Sequence, residues 1–141
     1  MATETKHRSL TVERVAAGKF AAINSRGGRI SFGTGSGEEF TPTELLLVAL
    51  GGCTAIDVDI LTSRRAEPDA FEIAVDADKV RDESGNHLTN IEITYRLRFP
   101  AGAGGDEARA VLPEVVRRSQ ETLCTVGRTV QLPTPVATRI E

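Results

Sequence analysis

The sequence predicts an α+β protein, because segments with strand periodicity and segments with helix periodicity follow one another in separate runs. Two observations carry this prediction. One is a long apolar helix with a clear starting signal, and the other is a pair of strands in which apolar and polar side chains alternate. Short apolar runs divided by glycine turns come before the helix and predict a hairpin followed by a third strand.

The first elements are three short strands. Residues 10–15 and 19–24 hold alternating or short apolar runs on either side of an Ala-Ala-Gly turn, and residues 29–33 form the third strand. The loop at residues 34–39 is rich in glycine, but no Gly-Lys-Ser/Thr follows it, so it does not match a phosphate-binding loop. The polar residues 1–9 are expected to be a frayed tail.

The helix that follows begins with a strong signal. Thr41 is placed to cap it, Pro42 occupies the favoured first position, and Glu44 stands three residues past the cap, which is a capping box. Apolar residues recur at helical spacing from there to Ile60, and the first half is apolar on nearly every face. Such a helix is expected to be buried, yet a chain of 141 residues has little material to surround it. The sequence therefore indicates a dimer, with the helix ending within residues 62–68.

Two further strands and a second helix come next. Residues 71–77 and 91–99 alternate between apolar and polar side chains, so each strand has one buried face and one wet face. The polar segment 82–86 between them predicts a long hairpin. Asp106 is expected to cap a helix that runs to about Glu121.

The remaining elements are predicted from proline positions and short apolar runs. Pro113 is expected to kink or restart the second helix. Residues 130–132 and 136–140 are expected to be short strands that close the chain. There is no internal repeat or linker, so residues 1–141 are expected to form one domain.

Charge and hydropathy narrow the classes of function. A net charge of −3 and a pI near 5.5 leave no basic surface for nucleic acid. The N-terminus lacks the apolar run of a signal peptide or anchor, and the longest apolar stretch, residues 45–52, is too short to cross a bilayer. We therefore expect no membrane partner and a cytoplasmic location, where structural disulfides are unusual.

The chain has two cysteines, Cys53 in the apolar helix and Cys124 where the second helix breaks down. Free cysteine is among the most buried residue types, so both thiols fit the interpretation of small core residues. A thiol near a helix end, with Arg128 beside it, also fits an activated redox cysteine. The separation of 71 residues does not decide whether the two thiols meet, so both interpretations stay open at this point.

Two segments resemble the signature of the OsmC/Ohr family, the osmotically inducible and organic-hydroperoxide-resistance proteins. They are residues 41–53, Thr-Pro-Thr-Glu-Leu-Leu-Leu-Val-Ala-Leu-Gly-Gly-Cys, and residues 123–126, Leu-Cys-Thr-Val. The first segment is closer to the OsmC-like branch of less defined substrate than to the organic hydroperoxide resistance branch. The resemblance covers nearly the whole chain and implies an OsmC-like fold, with antiparallel sheets packed around a central cysteine-bearing helix in an intertwined homodimer.

The resemblance also implies a thiol-dependent peroxidase that reduces hydroperoxides, organic ones above all. The matching positions make Cys53 the peroxidatic residue and Cys124 the resolving residue, and an external dithiol reductant returns the disulfide to the thiols. No organic cofactor or metal is implied. With two cysteines, His7 in the tail and His87 in the hairpin also make a poor metal-binding set.

Two departures from the family's pattern bear on activity. The peroxidase branches carry a Glu directly after the motif proline, where this chain has Thr43, and Glu44 follows one step later. Nine residues before Cys53, Glu44 lies about 180° around a straight helix from the thiol, which favours capping over catalysis. Those branches also supply an arginine from the N-terminal strands. The candidates here are Arg29 first and then Arg14 and Lys19, and for each a plain surface charge is the alternative.

Two rival functions remain on the sequence. A small-molecule-binding protein of the same fold would hold a lipid-like ligand in an apolar interface pocket, and the lost motif Glu favours it. A structural or interaction dimer predicts no reactive thiol at all.

Overall fold

The computed structural model describes residues 2–141 and confirms the α+β class. The chain forms two compact units that divide inside its longest helix, the first ending at Leu46 and the second beginning at Leu47. The single domain predicted over residues 1–141 stays a prediction. In chain order, the elements are β1 (Leu10–Ala16), β2 (Lys19–Asn24), β3 (Arg29–Gly33), α1 (Pro42–Ser63), β4 (Ala70–Asp82), β5 (Gly85–Arg98), α2 (Ala103–Arg118), a π turn (Ser119–Leu123) and α3 (Thr125–Gln131).

The first unit is a three-stranded antiparallel sheet in the order β1-β2-β3. Gly18 takes a φ of 70° in the turn between β1 and β2, a conformation that glycine adopts without steric cost. Phe20 and Phe32 stack across β2 and β3, with ring centroids 5.9 Å apart. The three strands predicted here are confirmed to within one residue. Residues 2–9 have no regular secondary structure and are exposed.

Helix α1 begins at the predicted capping box. The Thr41 N–H donates to Glu44 Oε1 at 2.9 Å, and the Glu44 N–H donates to Thr41 Oγ1 at 3.1 Å. These two bonds satisfy backbone donors that the first helical turn leaves without partners. They also account for the Glu44 side chain, which points back to the start of the helix.

Adjacent glycines on α1 face different surroundings. A Cβ added at Gly51 would lie 2.6 Å from Val75 Cγ2, so this glycine allows α1 to pack closely on β4. A Cβ added at Gly52 would meet no atom within 4 Å. The buried stripe of the helix therefore follows Leu50, Thr54, Val58 and Thr62, four residues apart.

The opposite face of α1 differs from the sequence prediction. A helix apolar on nearly every face was expected to be buried, but Val48, Ile56 and Ile60 are 51%, 62% and 50% exposed in the single chain. At 22 residues, and with a mean hydropathy of 1.8 over 18 of them, α1 would pass for a membrane-spanning helix by length and composition, as core helices of soluble proteins also do. The expectation that the apolar stretch is too short to span a bilayer rested on residues 45–52 and not on this whole helix.

Strands β4 and β5 form a two-stranded antiparallel sheet that is longer than predicted. Asp82 pairs with Gly85, so the turn contains only two residues. The Ser84 N–H donates to Asp82 Oδ1 at 2.8 Å, and Gly85 has a φ of 93°. This side-chain bond and the glycine conformation close the hairpin tightly.

The C-terminal region differs most from the prediction. Helix α2 begins at Ala103, so Asp106 lies in its first turn and Gly102 is the residue before the helix. Pro113 lies inside α2 without ending it. The closing strands predicted at 130–132 and 136–140 are wrong, since α3 covers the first and residues 132–141 have no regular structure. Val126 and Val130 are four residues apart, which suits a helix, and Pro133 and Pro135 lack the N–H groups that a strand ladder needs.

Candidate functional site

The two cysteines meet in the second unit. Cys53 lies in the middle of α1 and is partly exposed, whereas Cys124 lies between the π turn and α3 and is 1% exposed. Both are free thiols, and the side chain of Cys53 lies close enough to that of Cys124 to raise its pKa. The two thiols, 71 residues apart in the chain, are therefore neighbours in the structure.

Cys124 is held by the start of α3. The Gly127 N–H donates to Cys124 Sγ at 3.3 Å, so the sulfur takes the place of the usual side-chain oxygen at a helix N-cap. A Cβ added at Gly127 would lie 3.3 Å from that sulfur, which is tighter than most such contacts. The glycine thus allows the close approach of the helix start to the thiol.

Burial raises the pKa of the Cys124 thiol above its ordinary value, because a thiolate is poorly solvated in the protein interior. The N–H of Gly127 lowers that pKa in part, while the Cys53 thiol and the Asp57 carboxylate raise it further. Cys124 is consequently a protonated thiol at neutral pH. Of the two cysteines, Cys53 is the more exposed.

A chain of polar side chains runs beside the thiols. The Ser119 hydroxyl donates to Asp57 Oδ2 at 2.8 Å, and Thr54 Oγ1 lies 2.8 Å from both Ser119 Oγ and the Tyr95 hydroxyl. The Gln120 amide donates to the Tyr95 hydroxyl at 2.8 Å. Each hydroxyl has one proton, and that of Ser119 points to Asp57. The bonds therefore run in one direction, from Gln120 through Tyr95, Thr54 and Ser119 to the carboxylate.

Sequence reasoning did not single out this network. Thr54 and Ser119 are fully buried, and within residues 2–141 no buried side-chain nitrogen or oxygen lacks a hydrogen-bond partner. One signal was available, because Asp57 stands four residues after Cys53 and so lies one turn along the same side of the helix. A carboxylate on the side of the helix that carries the cysteine indicates a specific partner.

The auxiliary residues predicted from the resemblance lie in the first unit. Glu44 forms the capping box at the start of α1. Arg29 is exposed on β3 and lines a cavity of about 160 Å³, together with Lys19 and Glu39. Lys19 donates to Glu39 Oε1 at 2.8 Å, and this bond lowers the pKa of the Glu39 carboxyl. Arg14 is exposed on β1, next to a bulge. Roles for Glu44 and Arg29 in catalysis stay predictions.

A second cavity lies on the Cys124 side of the second unit. It has a volume of about 230 Å³ and is lined mainly by apolar side chains. The lining residues are Leu50, Ile91, Ile93, Gln120, Gly127, Val130 and Gln131. Gly127 belongs both to this wall and to the hydrogen bond that holds Cys124, so the cavity reaches the edge of the thiol site.

Histidines do not contribute to this site. His87 on β5 lies 3.7 Å from Asp82, at the tip of the hairpin, and His7 is in the N-terminal segment. In the part of the chain that the structure describes, no three His, Cys, Asp or Glu side chains are grouped to hold a metal ion.

Comparison with known proteins identifies the family and the fold. The model of the family described as OsmC-like protein matches residues 34–139. An uncharacterized protein of Mycobacterium tuberculosis is 32% identical over 128 residues, which are 90% of this chain and 91% of that protein.

Two solved structures show the same fold at lower identity. An OsmC-like protein of unknown function from Vibrio cholerae is 11% identical with a TM-score of 0.72, over 90% of this chain and 95% of that one. The organic hydroperoxide resistance protein OhrB of Bacillus subtilis is 15% identical with a TM-score of 0.53, over 88% of this chain and 90% of that one. From the family match, the curated relative and these folds together, we conclude that this chain belongs to the OsmC-like protein family.

Proposed function

We propose that this protein is a thiol-dependent peroxidase that reduces organic hydroperoxides, with Cys53 as the peroxidatic residue and Cys124 as the resolving residue. The single observation that carries the proposal is that a partly exposed Cys53 and a buried Cys124 are neighbours in the second unit. A reaction with a diffusing oxidant needs one accessible sulfur and one sulfur held ready behind it.

The proposed cycle balances with these two thiols alone. The Cys53 thiolate attacks one peroxide oxygen, the O–O bond breaks, and the products are a Cys53 sulfenic acid and an alcohol. The Cys124 thiol then attacks the Cys53 sulfur and water leaves, so that a disulfide joins the two residues. An external dithiol reduces this disulfide by exchange. Such a cycle suits the reducing cytoplasm, where we place the protein.

Organic hydroperoxides are the preferred substrate class because the cavity next to Gly127, whose N–H holds Cys124, is apolar. Its volume of about 230 Å³ suits an alkyl or aryl chain, and its walls offer few groups that would favour a small polar peroxide. The Bacillus subtilis protein of the same fold is an organic hydroperoxide resistance protein by name, which adds support from the family.

We further propose that the protein works as a homodimer. Val48, Gly52, Ile56 and Ile60 stand four residues apart and form an apolar stripe on α1 that is open in the single chain. Obligate dimer interfaces resemble a core cut in two, and this stripe has that composition. The variant Ile56→Asp should shift the sedimentation of the protein toward the monomer. Ile140→Asp, at a position already 99% exposed, is the matched control and should not.

A titration with peroxide tests the enzymatic proposal. The reduced wild-type protein is treated with one equivalent of cumene hydroperoxide, and its free thiols are counted by mass after alkylation. We expect both thiols to disappear together, with a loss of two hydrogen masses and no gain of oxygen. Two thiols that remain free in the presence of peroxide would refute the peroxidase.

The apolar cavity also favours a second candidate, a binding protein for lipid-like molecules. Thr43 stands where the peroxidase branches carry Glu, which agrees with weak turnover. Binding of a fluorescent fatty acid at micromolar concentration, unchanged in a variant that lacks both cysteines, would favour this candidate if the peroxide titration fails. A structural dimer would show neither reaction nor binding.

A further inference from the structure

We propose that Asp57 is a positioning residue of the dithiol pair, which anchors the segment of Cys124 to the helix of Cys53 through Ser119. This inference deepens the proposed function and rests on it for its biological meaning. Neither the family signature nor the capping and charge arguments assign a role to Asp57.

The anchor consists of two hydrogen bonds in series. The Ser119 hydroxyl donates to Asp57 Oδ2 at 2.8 Å, and the Ser119 carbonyl accepts from the Cys124 N–H at 2.8 Å. Asp57 stands one helical turn after Cys53 on α1. The same serine therefore ties the backbone of the second cysteine to the helix that carries the first.

The backbone changes its hydrogen-bond pattern at Ser119, the residue that makes the anchor. At Ser119 the regular pattern of α2 gives way to a π turn, in which the Cys124 N–H reaches back five residues instead of four. This turn leaves Cys124 in an extended conformation with φ −74° and ψ 100°, from which α3 starts in a new direction. Single π turns are rare and occur frequently at functional sites. Here the turn sets the position of Cys124 against Cys53.

The Asp57 carboxylate fixes the direction of the network. A carboxylate only accepts, so the Ser119 proton is directed to Asp57, and the buried Thr54 then donates to Ser119 and accepts from Tyr95. Bonds of this kind are strongest where the acceptor is charged and water is excluded. Loss of the carboxylate oxygen would leave a fully buried hydroxyl without its acceptor.

The charge of Asp57 has a second consequence for the reaction. A negative charge beside Cys124 disfavours its thiolate, so Asp57 adds to the burial that keeps this thiol protonated. Three other elements bring ionisable groups to this region: Cys53 on α1, Tyr95 on β5 and Arg128 on α3. Glu121 in the π turn is exposed and pairs with Arg117. Resolution then joins the Cys53 sulfur to the Cys124 sulfur and releases water.

The first experiment measures positioning without any peroxide. The wild type and the variants Asp57→Asn, Asp57→Ala, Ser119→Ala and Asp59→Asn are equilibrated with mixtures of reduced and oxidised glutathione. In this exchange, one glutathione disulfide oxidises the two protein thiols and yields two glutathione thiols. Asp59 is exposed on α1 and serves as the matched control.

Removal of the anchor should weaken the protein disulfide. We expect Asp57→Ala and Ser119→Ala to lower its equilibrium constant by about tenfold, which is about 30 mV for this two-electron couple. Asp57→Asn keeps an oxygen that accepts from Ser119 and should stay within about twofold of the wild type, as should Asp59→Asn. Wild-type constants in both alanine variants would overturn the proposal.

The second experiment separates positioning from a general effect on folding. In a Cys53→Ser background, the pKa of Cys124 is titrated by thiolate absorbance. Asp57→Asn should lower this pKa because it removes a nearby negative charge, and Asp59→Asn should leave it unchanged. Equal shifts in both variants, or none in Asp57→Asn, would overturn the proposal.

The outcomes distinguish this inference from the proposed function. If only one alanine variant folds, it carries the glutathione test, and failure of both to fold while Asp59→Asn folds would make the Asp57 contact a structural one and overturn the positioning role. A wild type that ignores peroxide refutes the peroxidase, yet both the glutathione equilibrium and the titration still support or overturn the role of Asp57.

Discussion

Cys53 lies in the middle of a regular helix of 22 residues, whereas Cys124 lies between a π turn and a helix of only seven residues. The first segment carries its own structural signals, from the capping box at Thr41 to the apolar spacing that follows. The second depends on distant partners, since Ser119 reaches Asp57 across 62 residues of chain. One thiol is thus placed by local sequence and the other by tertiary contacts.

The two segments also give the two cysteines different exposure. A residue in a helix presents its side chain at an angle set by the helix, and the side of α1 that carries Cys53 stays partly open. Cys124 is enclosed by the start of α3, where its sulfur accepts the Gly127 N–H. The proposed cycle requires an accessible thiol that reacts with the peroxide and an enclosed thiol that forms the disulfide.

The largest expected effect separates the two thiols by role. Cys53→Ser should abolish peroxide consumption, because a hydroxyl does not supply a thiolate. Cys124→Ser should still consume about one equivalent and stop at a Cys53 sulfenic acid, which has nothing left to condense with. Mass spectrometry after dimedone labelling measures both results. The reverse pattern would show that Cys124 is the reacting thiol and Cys53 its partner.

A smaller effect is expected from the glycine pair before Cys53. Gly51→Ala should lower the free energy of unfolding by about 1 to 3 kcal/mol, because the new methyl group overlaps Val75 and forces α1 away from β4. Gly52→Ala is the matched control. In the single chain, where that face is open, it should raise the free energy by up to about 1 kcal/mol through helix propensity, whereas a dimer interface over Gly52 would reverse this gain.

Chemical denaturation of both glycine variants measures these changes. Equal destabilisation by both substitutions would mean that the two faces of α1 are equally filled, as in a dimer whose interface closes over Gly52. The two variants therefore test both the packing of the Cys53 helix on β4 and the proposed dimer interface.

The capping box gives the next effect in size. Thr41→Ala removes the side-chain acceptor of the Glu44 N–H and should cost about 1 kcal/mol of stability. Thr43→Ala, two residues further along and exposed, is the control and should change stability by no more than about 0.5 kcal/mol. Thermal unfolding of both variants tests whether the Cys53 helix is set by this local signal. Equal losses would contradict it.

The smallest effect is expected from pH. The folded-state pKa of Cys124 lies above its unfolded value of about 9.0, so the protonated thiol favours the folded state. This stabilisation is fully present below that unfolded value and is lost as pH rises through the higher folded pKa. Denaturation between pH 7 and 10.5 should show a decline that is weaker in Cys124→Ser. An unchanged decline in the variant would assign it to other groups.

The sequence by itself determined the elements that depend on local signals. The strands β1 to β3, the start of α1 and the alternating strands β4 and β5 follow from residue spacing and turn chemistry, and the structure agrees with each of them. The prediction that the two thiols act as a pair came from the two family segments. The misplaced closing strands show the limit, because short apolar runs near proline are ambiguous between strand and helix.

Only the tertiary structure decided the surroundings of Cys124. The π turn, the chain of hydroxyl groups that ends at Asp57 and the meeting of the two sulfurs all depend on residues from α1, β5 and α2 that are far apart in the chain. Periodicity reports which face of an element is apolar, and it carries no information on which side chains of different elements come together. The physical reason is that such contacts form only when the packed elements exclude water and leave each buried hydroxyl to find a partner within the protein.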